Sequence, residues 1–185
     1  KKNISDLNSD KLAVFRREHC GFVFQQIYLI DGMSVMDNVL AAGLLVNKDK
    51  KGLVKRAKEL FWKVDISEET QKKFPTQISG GEAQRVGIVR ALINAPEILF
   101  ADEPTGALNR AASDEVMEEL IKLNAEGTTV MLVTHDVLVA AKCKRVLYIV
   151  DGNIKGEYTL GEYDVAAGMR GRERVLAGWL MEMGW

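Results

Sequence analysis

Two short stretches decide the fold: Ile-Ser-Gly-Gly-Glu at residues 78–82 and Ile-Leu-Phe-Ala-Asp-Glu at residues 98–103. The first predicts the start of a helix, where glycines and free backbone N–H groups can approach an anion. The second predicts a buried strand ending in two carboxylates, Asp102 and Glu103, which can hold a magnesium ion and activate a water. Together the two stretches indicate half of a nucleotide triphosphate site.

Each of these signals also has a purely structural explanation. Ser79 is a good N-cap, so Ser-Gly-Gly is also what an ordinary capped helix start looks like. The acidic pair followed by Pro104 also fits a polar strand end before a turn. Gln25 and His135 each follow a predicted strand, where they are either ligands of a metal-bound water and a phosphate or ordinary surface residues. The order of the four features along the chain favours the nucleotide site.

The hydrophobic pattern predicts an α/β fold built around that site. The stripe of Leu53, Ala57, Phe61 and Val64 predicts a helix within a helical region over residues 35–78. A further helix is predicted at 10–18, capped by Ser9 and with Leu12 and Phe15 pointing inward. Other helices are predicted at 81–95, 110–126 and 173–184. Strands are predicted at 20–24, 97–101 and 128–133, and a hairpin over 146–158. Residues 128–133 lack polar alternation, so we expect a parallel strand covered on both faces.

The composition indicates which classes of partner and which cellular compartment fit this chain. The 185 residues carry 25 basic and 26 acidic side chains, which gives no electrostatic case for nucleic acid as a partner. Cys20 and Cys143 match no metal-ligand spacing and are typical of a reduced, cytosolic protein. No apolar run is long enough to cross a membrane, although docking on one remains open.

The order of these features resembles the ATP-binding cassette ATPases over residues 4–160. Gln25 matches the glutamine of that family's Q-loop. Residues 78–82 match its signature, usually Leu-Ser-Gly-Gly-Gln, with Ile78 and Glu82 as departures at the two ends.

Further motifs carry the resemblance towards the C-terminus. Residues 100–105 resemble the Walker-B strand with its catalytic glutamate. Asn109 lies in the position of the D-loop, where the family usually has aspartate, and His135 matches the switch histidine. The implied fold is α/β: a P-loop NTPase-like (RecA-like) parallel-sheet core with an inserted helical subdomain.

The resemblance also implies roles for the matched residues. Glu103 is expected to position or deprotonate the attacking water, and His135 to contact the γ-phosphate, which makes these two the candidate catalytic residues. Asp102 and Gln25 are the candidate ligands of Mg²⁺. The implied cofactors are ATP and Mg²⁺, and the candidate ATP-binding residues are Gln25, Ser79, Gly80, Gly81, Glu82 and Asn109.

The family's architecture implies a division of the chain and a set of partners. The core is expected at 1–36 and 79–160, the helical signature subdomain at 37–78, and a helical tail at 161–185. A second ATPase subunit is expected to pair head-to-tail, forming a homodimer in which Ser79–Gly81 closes on the ATP of the opposite subunit. A separate membrane permease is expected to dock in a groove that includes residues 26–36, which implies a peripheral location on the cytoplasmic face of the cell membrane.

Residues 21–26 and 101–108 resemble the exporter group that includes lipoprotein-release, macrolide and antimicrobial-peptide resistance ATPases. The implied function is ATP-driven export or extraction of a lipophilic or peptide-like substrate. Two alternatives stay open, namely a non-transport ATPase of the same superfamily and a non-catalytic regulatory domain.

The sequence contains no Gly-Lys dipeptide, so the family's Gly-x-x-x-x-Gly-Lys-Ser/Thr phosphate loop (Walker A) is not present in it. We therefore expect a partial fold in which N-terminal strands are missing and apolar sheet edges are exposed. We also expect these 185 residues alone to bind ATP very weakly and not to hydrolyse it measurably. Calorimetric titration with Mg²⁺ and nucleotide tests this expectation, which micromolar binding would contradict.

Overall fold

The computed structural model describes residues 3–164, 169 and 171–185, which form two compact units, the first ending at Val133 and the second beginning at Thr134. In the first unit the strands are β1 (Cys20–Phe24), β2 (Ile98–Asp102) and β3 (Thr129–Val133). Its helices are α1 (Ser9–His19), α2 (Val35–Leu44), α3 (Lys50–Lys63), α4 (Gly80–Leu92) and α5 (Arg110–Ala125), with short 3₁₀ turns at Thr70–Lys72 and Pro75–Gln77.

The three strands of the first unit form a parallel sheet in the order β1-β2-β3. Phe24 pairs in register with Asp102, and Asp102 pairs with Val133, so the carboxyl ends of all three strands lie at one edge. Parallel neighbours need crossover connections, which here are helical. The predicted parallel α/β arrangement is thus present, and the acidic pair lies at the edge where such sheets bind ligands.

The inserted helices between β1 and α4 bury the predicted apolar stripe. Ala57 and Phe61 have no exposed surface, and Leu53 and Val64 are almost fully buried. They pack against α2 residues and against Val86, Val89 and Ile93 of the α4 region. The prediction of a helical segment over residues 35–78 is confirmed, whereas its separation as a domain of its own stays a prediction.

Three local predictions differ from the structure. The N-cap of α1 is Asn8, whose side chain accepts from the Lys11 N–H at 3.0 Å, rather than Ser9. Helix α4 ends at Leu92 and not at Ala95, because Ala95 has φ +51° and precedes Pro96, which disfavours the helical conformation.

The third difference concerns β3, which the sequence pattern predicts to be covered on both faces. Its burial alternates, and Met131 and Val133 are 42% and 52% exposed. The expectation of two covered faces is wrong because successive side chains lie on opposite faces of a strand, and the face that carries Thr129, Met131 and Val133 is exposed, whereas Val130 and Leu132 on the other face are partly buried. Strand β3 is in addition an edge strand of this three-stranded sheet.

The second unit contains α6 (Val137–Ala140), β4 (Arg145–Val150), β5 (Asn153–Thr159) and α7 (Arg172–Glu182). Strands β4 and β5 form the predicted antiparallel hairpin. Leu176 and Leu180 of α7 are buried in a small cluster with Ala141. Part of the predicted 161–185 tail, namely residues 165–168 and 170, lies outside the described residues. Within the described part of the chain, no helix has the length and apolarity needed to cross a bilayer.

Candidate functional site

The acidic pair lies at the carboxyl edge of the parallel sheet. Asp102 is the last residue of β2 and is exposed, whereas Glu103 is partly buried. The backbone of Glu103 has φ +45°, a left-handed conformation that is uncommon for a residue with a side chain. Its N–H donates to the Val133 carbonyl at 2.9 Å, which ties this turn to β3. Such a conformation costs on the order of 1–3 kcal/mol, and residues that adopt it cluster at functional sites.

Gln25 lies beside the turn that follows the acidic pair. The turn is closed by the Gly106 N–H, which donates to the Glu103 carbonyl at 3.1 Å. A Cβ atom added to Gly106 would lie 2.9 Å from Gln25 Nε2 and 3.1 Å from its Cδ, so the amide of Gln25 packs directly on this glycine. Because β1 and β2 pair in register, the structure brings Gln25 and the acidic turn together, although they are distant in sequence.

The Ser-Gly-Gly segment forms the capped N-terminus of α4. The Ser79 hydroxyl accepts from the Glu82 N–H at 3.2 Å. In return the Glu82 carboxylate accepts from the Ser79 N–H and hydroxyl, each at 2.8 Å, which completes a capping box. These bonds, of which the one from the Ser79 backbone is the strongest cause, hold the pKa of Glu82 below its ordinary value. Glu82 therefore occupies the N3 position of the capping box, which glutamine can also occupy.

The start of α4 packs against the start of α5. A Cβ atom on Gly81, which is buried, would lie 3.1 Å from the Ala112 Cβ, so only glycine allows this approach without displacement. Ala112 belongs to the N-terminal turn of α5, where its N–H donates to the Asn109 side chain at 3.0 Å. The structure thus places Asn109 as the N-cap of α5 beside the Ser-Gly-Gly segment.

His135 belongs to the second unit, between the end of β3 and α6. It is exposed, and the neighbouring Asp136 N–H donates to the Thr134 hydroxyl at 3.0 Å. Asp136 then caps α6 by accepting from the Leu138 N–H at 2.7 Å. The location of His135 after a parallel strand agrees with the sequence, and its role stays a prediction.

The chemistry of Asp102 and Gln25 fits a magnesium ion. One carboxylate and one amide oxygen are hard ligands, and Mg²⁺ is usually held in proteins by one or two such groups while waters and phosphate oxygens fill the other positions. Among the described residues there is no cluster of three or more histidine, cysteine or acidic side chains suited to a metal. The donor set therefore suits an ion that arrives with a nucleotide better than a metal held by the protein alone.

Sequence reasoning missed three polar residues of α4. Gln84 is 1% exposed and its side chain donates to the Phe24 carbonyl at 3.1 Å. Arg90 donates to two carbonyls of the segment after Gln25. Arg85 pairs with Glu115 of α5. The available signal was the presence of polar residues inside a helix whose other central positions are apolar and buried.

Comparison with known proteins places these features in a family. The model of the family described as ABC transporter matches residues 2–106, which include Gln25, the Ser-Gly-Gly segment and the acidic pair. A macrolide export ATP-binding/permease protein from Shigella flexneri is 39% identical over 179 residues, covering 96% of this chain and 28% of that protein. The protein of the same description from Rhodopseudomonas palustris is 42% identical over 151 residues, covering 82% of this chain and 23% of that protein.

Solved structures give the same result for the fold. The dimeric ATP-binding cassette MJ0796 in a post-hydrolysis state with ADP and Pi superimposes with a TM-score of 0.72 at 38% identity, covering 85% of this chain and 70% of that one. Another dimeric structure of MJ0796, described as a bacterial ABC transporter cassette, gives a TM-score of 0.73. The predicted P-loop NTPase-like fold is confirmed, and the chain spans less than a third of the length of the two macrolide export proteins.

Proposed function

The chain belongs to the ABC transporter family, and from that premise we propose that it is the ATP-hydrolysing part of a transporter. The observation that carries this proposal is the packing of Gln25 on the turn after Asp102 and Glu103 at the carboxyl edge of the sheet. An amide and two carboxylates in this position suit the binding of a nucleotide–metal complex and the activation of water.

Each residue of this edge has a distinct task in the proposed reaction. The Glu103 carboxylate orients or deprotonates the water that attacks the γ-phosphate, and the left-handed backbone of Glu103 fixes the direction in which that side chain leaves the sheet. Asp102 and Gln25 hold Mg²⁺, which neutralises charge on the phosphates when it is bound. His135, which follows β3 in the chain, contacts the γ-phosphate.

The start of α4 serves a second nucleotide. Ser79, Gly80 and Gly81 present backbone N–H groups at a helix N-terminus, where the helix dipole favours anions. We place these residues against the ATP of an opposite subunit in a head-to-tail dimer, as the family resemblance implies. Asn109, the N-cap of α5, lies between Leu108 and Ala112, which are the residues next to Gly80 and Gly81.

A membrane permease is the proposed partner. Tyr28, Ile30 and Phe74 are 66%, 54% and 44% exposed, an unusual set of large apolar side chains for a solvated surface. The Val35 N–H donates to the Lys73 carbonyl at 2.8 Å, which brings the two segments that carry them together. We propose that this surface receives the permease at the inner face of the cell membrane, with a lipophilic or peptide-like compound as the exported substrate. The permease as a separate subunit remains a prediction.

The test is ATP hydrolysis by the intact protein with and without Glu103→Gln. The substitution keeps the shape of the side chain but removes its capacity to accept a proton, so turnover should fall by about 10²-fold or more. Binding of Mg²⁺–ATP should be retained.

The matched control is Glu59→Gln, the same change on the exposed surface of α3, which should leave turnover unaltered. Full turnover in Glu103→Gln would refute the role of that carboxylate. An intact wild-type protein with no Mg²⁺-dependent ATP hydrolysis would refute the proposed function.

A further inference from the structure

The segment that carries Gln25 is bound on both sides by one helix, α4. Before Gln25, the Phe24 carbonyl accepts from Gln84 Nε2 at 3.1 Å. After it, the carbonyls of residues 27 and 28 accept from Arg90 Nη2 and Nη1 at 2.5 and 2.6 Å. Three backbone carbonyls on the two sides of Gln25 therefore accept from two side chains that lie six positions apart on α4.

Two of these contacts, to the carbonyls of Phe24 and Ile27, are partly buried, and the third, to the Tyr28 carbonyl, is exposed. Gln84 is almost completely buried, and partial burial lowers the pKa of the Arg90 guanidinium from its ordinary value. Between them on α4, Gly87 lies against Ile27, since an added Cβ would be 3.1 Å from the Ile27 Cγ2. Hydrogen bonds from a charged donor are among the stronger ones, and the loss of Arg90 leaves the partly buried Ile27 carbonyl without this donor.

The backbone held in this way includes one residue in the left-handed conformation. Tyr28 has φ +52°, in the left-handed region that residues with a Cβ rarely adopt. Its carbonyl is one of the two that Arg90 binds. A guanidinium presents a planar fork of donors, so one arginine can fix two successive carbonyls and with them the direction of the turn.

The same helix begins with the Ser-Gly-Gly segment. We propose that Gln84 and Arg90 are positioning residues that fasten the Gln25 segment to α4, so that the two segments keep a fixed relation to each other. This inference rests on the proposed function, in which Gln25 serves this subunit's ATP and Ser79–Gly81 serves the opposite one. Helix α4 then joins the two nucleotide sites mechanically, because neither segment can shift without breaking bonds to the helix.

The test compares Arg90→Gln with Arg56→Gln in the intact protein. Arg56 is a close match, since its Nε and Nη2 donate to the carbonyls of Ile93 and Leu92 at 2.7 and 3.1 Å. It thus also binds two backbone carbonyls of the α4 region, but it reaches them from α3 and does not hold the Gln25 segment, and Arg56 has no role in the site. Hydrogen exchange of the peptide covering residues 24–30 and steady-state ATP hydrolysis are measured for both variants, with the thermal midpoint as a measure of global stability.

Arg90→Gln should raise the exchange rate of residues 24–30 at least tenfold and lower kcat at least fivefold, with a smaller change in KM for ATP. Arg56→Gln should lower the thermal midpoint by about as much as Arg90→Gln does. It should leave the exchange rate of residues 24–30 and kcat within twofold of wild type. Arg90→Lys should rescue only part of the loss, because an ammonium lacks the planar fork. Gln84→Met, which keeps the volume and removes one bond, should act in the same direction as Arg90→Gln and more weakly.

The inference is overturned if Arg90→Gln raises exchange in residues 24–30 no more than Arg56→Gln does. The exchange contrast between the two arginine variants decides this without reference to turnover. Absence of ATP hydrolysis in the wild-type protein would instead refute the proposed function, so the two failures are distinguishable.

Discussion

Substitutions of Asn109 test whether this residue stabilises α5 as its N-cap. In the family, aspartate usually occupies the position. Asn109 has φ −70° and ψ 167°, the extended conformation of an N-cap, and its Oδ1 accepts from the Ala112 N–H at 3.0 Å. It precedes a helix whose first turn contains no acidic residue. Both aspartate and asparagine can form this cap, whereas alanine cannot.

The expected magnitudes follow from this geometry. Asn109→Ala removes the acceptor and leaves one helix N–H without its partner, which should lower the free energy of unfolding by about 1 kcal/mol. Asn109→Asp keeps the acceptor and adds a negative charge at the positive end of α5, which should raise the free energy of unfolding by about 0.3–1 kcal/mol. The second effect is electrostatic at an exposed position, so added salt should diminish it and leave the first effect nearly unchanged.

Urea unfolding followed by circular dichroism measures both variants. With an m-value of about 1–3 kcal/mol/M, the alanine variant should unfold at a urea concentration lower by about 0.3–1 M. Arg110→Ala is the control at the adjacent exposed position, where only an ion pair with Asp114 is lost and the change should stay within about 0.5 kcal/mol. An alanine variant as stable as wild type, or an aspartate variant as destabilised as alanine, would refute the assignment of Asn109 as an energetically significant cap.

Two further predictions concern stability. Phe61→Ala should lower the free energy of unfolding by about 3–5 kcal/mol because the ring is fully buried, whereas Trp62→Ala should change it by less than about 0.5 kcal/mol because that side chain is 80% exposed; similar costs for the two neighbours, measured by urea unfolding, would contradict the packing of α3. Because the folded pKa of Glu82 is lowered, its contribution is present above the unfolded pKa and is lost as pH falls through the folded pKa. Glu82→Gln should therefore flatten the acid limb of a stability–pH curve, and an unchanged slope would count against the capping box.

Much of this protein could be predicted from the sequence because its signals are local. The stripe through Phe61 has helical spacing, and the apolar strand before Asp102 has no polar interruption. These patterns predict the strands and helices to within a few residues. The predicted end of α4 is wrong because Ala95 has a positive φ, which its residue type does not indicate, although Pro96 after it marks the end of the helical pattern.

The covering of β3 could not be predicted, for a different reason. Hydrophobicity shows that a strand can be buried, but only the elements that pack on its two faces decide whether it is. Val133 is apolar and yet half exposed, since it lies on the exposed face of β3 together with Thr129 and Met131. Burial is a property of the assembled layers and is not fixed by the residues of one strand.

The sequence by itself determined the family, the order of the motifs and the identity of the acidic pair, because these depend on residue types at short spacing. Only the tertiary structure decided that Gln25 packs on Gly106 and that Gln84 reaches the carbonyl of Phe24, 60 residues away along the chain. The contacts of Gln84 and Arg90 with the Gln25 segment go to backbone carbonyls, which every residue possesses. No pattern of side chains could identify those acceptors, because the packing of α4 against β1 selects them.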